Sequence, residues 1–142
     1  MPEKIDLATA TAEFERFCED WDIDTDVDEF DQEERIDYEK LKRQIIRKIK
    51  SGNLIYNDDE SLTYHVVKPL KGETEPPAEP LTIKRTRGDS WMNMDNYKEK
   101  QQVHRGMSKV AAMCEKNLSW FSNLDDVDVK VLQAIQNLFL AS

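Results

Sequence analysis

Glycine, cysteine and histidine are scarce in this chain, with four, two and two among 142 residues. None of the glycines falls in a GxxxxGK or GxGxxG arrangement, which excludes the phosphate-cradling loop of an ordinary nucleotide enzyme. Cys18 and Cys114 stand far apart, with no CxxC and no histidine cluster beside them. That spacing predicts reduced, inert thiols and neither a disulfide framework nor a zinc site. His65 lies in a strand-like run and His104 on the polar side of a helical one, and no nucleophile motif surrounds either. The chain therefore reads as a binding protein and not an enzyme, without a cofactor. No apolar run approaches the roughly 18 to 20 residues that span a bilayer. The N-terminal MPEKIDLATATAEF has neither the basic flank nor the apolar core of a signal peptide, so a soluble chain with no membrane association is expected.

Charge is what the chain has in abundance. Charged residues make up 35% of it, with a net charge of −9, which argues against phosphate-driven binding to nucleic acid or to an anionic membrane. The distribution matters more than the total: residues 1 to 39 hold 16 acids and 3 bases, and the remainder 13 acids and 17 bases. An acidic N-terminal arm over 1–34, with a short helix, precedes a mildly basic body over 35–142.

Apolar periodicity supplies the elements. Over residues 8–21, Phe14, Phe17, Cys18 and Trp21 fall on one helical face. From Glu33 to Lys50, Tyr38, Leu41, Ile45 and Ile49 form a stripe, with acids at the start and bases at the end as the helix dipole favours, and Gly52 suits the C′ position. Leu54-Ile55-Tyr56 and residues 62–67 flank a polar turn, predicting a hairpin. Leu81 to Arg85 alternates as a third strand, reached through a proline-rich surface linker at 69–80. Gly88 and Asp89 then open a helix carrying Trp91, Met94 and Tyr97 on one face. Residues 90–116 read as one helix, or two broken near Gly106. Asp125 or Asp126 caps a final helix, Val127 to Leu140, apolar on two sides. The expected fold is α+β, mostly helical, with a small antiparallel hairpin or three-stranded sheet.

Two charged constellations invite chemistry. Asp22, Asp24, Asp26, Asp28 and Glu33 occupy positions 1, 3, 5, 7 and 12 of an EF-hand-like calcium loop. Val27 stands where that loop needs glycine, and Glu29 where it takes an apolar residue; a solvated acidic segment is the competing reading. The bases between Lys40 and Lys50 and at Lys84, Arg85 and Arg87 lack the interleaved aromatics of a single-strand platform. No nucleic-acid partner is expected.

Three stretches, LTIKRTRGDSWMNMD, VAAMCEKNLSWFSNLDDVDVKVL and QAIQNLFLAS, in this order resemble the small tail assembly chaperones encoded by tailed bacteriophages and prophages. The resemblance covers roughly residues 62–142. It implies a small, mostly helical protein with a short sheet, acting in the host bacterial cytoplasm, which binds the long tape-measure protein and keeps it soluble while the tail is built. It transfers no catalytic or ligand-binding residue. Methionines at 92, 94, 107 and 113 suit adaptable contact with apolar helices or simply fill a core. The residues expected to touch the partner are Trp91, Met94 and Tyr97, with Phe14, Phe17 and Trp21. Self-association through the arm or the last helix stays open. The alternatives are a tail structural or adaptor protein retained in the virion, and a calcium-binding regulatory module.

Overall fold

A computed structural model describes residues 3–85, 110–116 and 118–140. The first helix, α1, spans Leu7–Asp20, and Asp6 caps it by accepting the Thr9 amide at 2.7 Å. Ala10, Phe14, Phe17 and Cys18 are its buried face, a spacing that places all four on one side of the helix. A 3₁₀ turn, Val27–Glu29, leads to α2, Gln32–Lys50. Asp31 and Glu34 form a reciprocal capping box at its start, satisfying two amides that the helix itself leaves orphaned. Hydrogen bonds from Glu34 hold the Asp31 carboxyl below its usual range.

The C-terminus of α2 is held by the beginning of the chain. Ile5 donates its amide to the Lys50 carbonyl at 3.0 Å. Gly52 turns the backbone at φ +83°, and a Cβ there would collide with the Glu3 carbonyl oxygen. Glycine is required twice over, for the left-handed backbone and for the close approach.

A three-stranded antiparallel sheet follows, with β1 Leu54–Tyr56, β2 Leu62–Tyr64 and β3 Leu81–Ile83 in the order β1-β2-β3. Tyr64 is the Cα partner of Leu54 on one side and of Leu81 on the other. Leu54, Tyr56, Leu62, Tyr64, Leu81 and Ile83 are buried, whereas Thr82 is exposed. This is the alternation of a sheet with one covered face. The hairpin turn closes as Asn57 donates to the Ser61 carbonyl, with Glu60 at positive φ.

After β3, the Lys84 amide bonds to the Met113 carbonyl at 2.8 Å, so the helical turn 110–113 lies against the strand's end. The short helix α3, Leu118–Phe121, precedes α4, Asp126–Leu140. Asp125 caps α4, its carboxylate accepting the Val127 amide. Val131, Leu132, Ala134, Ile135 and Leu138 are buried, so α4 is covered on more than one side, as its composition requires. The fold is α+β, helices around a small antiparallel sheet, and its buried residues from α1 to α4 belong to a common hydrophobic core. The linker 69–80 is irregular and largely exposed.

Candidate functional site

Phe14, Phe17 and Trp21, expected at a partner surface, are 1%, 0% and 2% exposed. The Phe17 ring lies 4.9 Å from Trp21 and 5.7 Å from Tyr56, and Trp21 meets Phe139 of α4 edge-on at 5.4 Å. The Trp21 indole nitrogen donates to the Glu60 carbonyl at 2.8 Å, giving the buried N–H its partner. These aromatics clamp α1 to the hairpin and to α4. Periodicity identified the face to be covered, and the cover is the chain itself. Trp91, Met94 and Tyr97 lie outside the described residues, as do Asp89, His104 and Gly106.

The acidic run is spent on local backbone. Asp22, at φ +54°, is the C′ residue of α1: its amide reaches the Glu19 carbonyl and the Ile23 amide reaches Cys18 at 2.8 Å. That is a Schellman closure, with Ile23 buried behind it. Asp24 accepts the Asp26 amide, Asp26 accepts the Asp28 amide, and Glu33 sits in the first turn of α2. Among the described residues no group of three or more His, Cys, Asp or Glu side chains is placed to hold a metal ion.

Asp128 is the one carboxylate wholly withdrawn from solvent among the described residues, at 0% exposure. Its Oδ1 accepts the Tyr64 hydroxyl at 2.5 Å and the Val67 amide at 2.8 Å, and its Oδ2 accepts the Lys68 amide at 3.0 Å. The first turn of α4 adds a favourable dipole for this charge. Burial, then the bond to Asp128, raises the Tyr64 phenol well above its ordinary value. The arrangement fixes α4 against the end of β2, and nothing in the spacing of Leu-Asp-Asp-Val-Asp announced it.

Fixing α4 there shapes a groove. α2 and α4 run antiparallel, since Tyr38 and Leu41 share one lining with Leu138, while Gln44 and Arg47 share another with Val127 and Lys130. Between these ends lies a wider stretch of about 740 Å³, with Leu41 and Ala134 as its more buried lining and Lys40, Gln44, Lys130 and Gln133 along its rims. Asp37 and Leu41 join the centre to one end, and Gln44 and Lys130 join it to the other. The result is a trench of three successive hollows along the helix pair. Val127 remains 39% exposed at its far end. Among the described residues, none of Asp37, Lys40, Arg47, Lys48 and Lys130 makes an ion pair.

The bases on α2 were noted in the sequence but not named as a partner surface. The rims as a site were missed because only the tertiary pairing sets Lys130, Gln133 and Asn137 beside Lys40 and Gln44; the trace in the sequence was polar residues recurring within an apolar last helix. Among the described residues no helix is long and apolar enough to cross a membrane. No protein-family model, curated protein or solved structure matches the chain.

Proposed function

We propose that this chain is a holding protein for apolar helices, a phage tail assembly chaperone that keeps the tape-measure protein soluble until the tail tube encloses it. The observation that carries the reading is the open trench between α2 and α4, with Phe30, Leu41 and Val127 as its accessible apolar lining and with Lys40 and Lys130 on its rims, neither of which makes an ion pair among the described residues. Such a groove accepts the apolar face of an amphipathic helix while its rims stay wet. A long, mostly helical client presents many such faces, each needing cover before assembly. The phage-specific part rests on the resemblance of the segments in 62–142, and the client is the one that this resemblance implies.

The test is coexpression with the largest protein encoded immediately downstream, scoring that protein's solubility and copurification. The proposal expects the large protein to be soluble and to copurify only when this chain is present, with this chain absent from finished particles. If the large protein is indifferent to it and this chain is found in mature particles, the chaperone reading is wrong and a structural tail role replaces it.

A further inference from the structure

Resting on that reading, we infer that the α2–α4 trench selects its client helix by charge sorted along the axis: a helix with an apolar stripe, basic residues at one end and acidic residues at the other. The sorting is built into the lining. One end of the trench is lined by Asp24, Glu34 and Asp37, together with Phe30, Tyr38 and Leu138. The opposite end is lined by Arg47, Lys48 and Lys130, together with Val127 and Val131. From Glu34 to Lys48 along α2 the trench runs about 20 Å at 1.5 Å per residue, room for roughly four turns of a docked helix. Opposite charges that far apart lie beyond the screening length of about 8 Å at physiological salt, so each end acts on its own part of the ligand.

The apolar lining that solvent reaches runs from Phe30 at the acidic end through Leu41 to Val127 at the basic end, above the buried Leu138, Ala134 and Val131. Affinity then comes from the apolar stripe, while the rims set register and orientation. Uniformly acidic or uniformly basic helices meet a like charge at one end, and such juxtaposition is penalised. A second copy of this chain is a poorer occupant. Among the described residues, the apolar stripes of α1 and α4 are largely buried in the core.

The test uses the full chain and synthetic helical peptides of about 20 residues sharing one leucine stripe. One carries three lysines at one end and three glutamates at the other; one carries lysines at both ends; one carries glutamates at both. Fluorescence anisotropy should show the sorted peptide binding about tenfold more tightly than either uniform one. Lys130→Glu with Arg47→Glu, both at exposed positions, should invert that order in favour of the peptide with lysines at both ends. The single variant Lys130→Glu should move it part of the way. An unchanged order in folded variants, or no binding of any peptide by the native chain, overturns the proposal. So does a self-associated native chain that Lys130→Glu converts to monomer, because the trench is then an interface between copies. If coexpression succeeds and the peptides do not bind, the client is held elsewhere and the chaperone reading survives. If the peptide order inverts and coexpression fails, the trench recognises helices and the chaperone reading falls.

Discussion

Asp128 shows how much one side chain can determine in a chain of this size. Three donors converge on its carboxylate, from the Tyr64 hydroxyl and the Val67 and Lys68 amides. Bonds to a buried charge are worth about 1.5 to 3 kcal/mol each, and a lost partner leaves the remaining donors unsatisfied. Asp128→Asn should therefore lower the free energy of unfolding by about 2 to 4 kcal/mol, and Tyr64→Phe by about 1 to 3 kcal/mol, as read from urea midpoints. The two losses should be less than additive, because they remove members of one network. Cys18 and Cys114 act in the opposite sense. Burial pushes each thiol up to about 12 from an ordinary value of 9. In that window the unfolded chain releases protons that the folded chain keeps, so stability is complete below about pH 9 and falls as pH rises toward 12. Urea titrations across that range should show the decline, and Cys114→Ala should make it shallower. In the native chain at neutral pH neither thiol should react with a disulfide reagent. The expectation of inert thiols came from spacing alone; the buried aspartate left no such mark, because its partners come from the end of a strand some sixty residues away.

Elements were legible where local chemistry closes them. The glycine after α2 and the Asp125 cap of α4 are short-range signals, and each lies at its predicted position, whereas the capping box of α2 was not read from the sequence. Asp31→Ala should lower stability by about 0.5 to 2 kcal/mol, the usual worth of an N-cap. Gly52→Ala should cost more than the roughly 1 kcal/mol of a simple backbone mismatch, because the added methyl also meets the Glu3 carbonyl. Thermal unfolding of the two variants orders these effects. Strand alternation identified β3 because Leu81 and Ile83 share a face, though residues 65–80 separate it from β2. The segment from Asp22 to Glu33 misled for a physical reason: aspartate is favoured both as a calcium ligand and wherever a backbone amide needs a nearby acceptor. Since Asp24 and Asp26 are turned onto amides of their own loop, millimolar calcium should leave the melting temperature unchanged.

At the scale of the whole molecule, sequence periodicity stated which faces must be covered and could not state by what. The stripe of α1 was the plainest case: Phe14, Phe17 and Trp21 read as a docking face and are instead closed over by β1, the hairpin turn and α4. With these buried, the paired surfaces of α2 and α4 form a long concavity among the described residues, and its rims combine residues nearly a hundred positions apart in the chain. Only the antiparallel packing of the two helices brings Lys40 and Gln44 beside Lys130 and Gln133. The measurement that tests the account most directly is site-specific photo-cross-linking in cells that also express the downstream large protein. A photoreactive residue replaces Gln44 on the trench rim in one strain and Ile55 on the exposed side of β1 in another. The account predicts an adduct with the large protein from position 44 and none from position 55. An adduct from position 55 alone would place the client on the sheet side and contradict the trench as the site of holding.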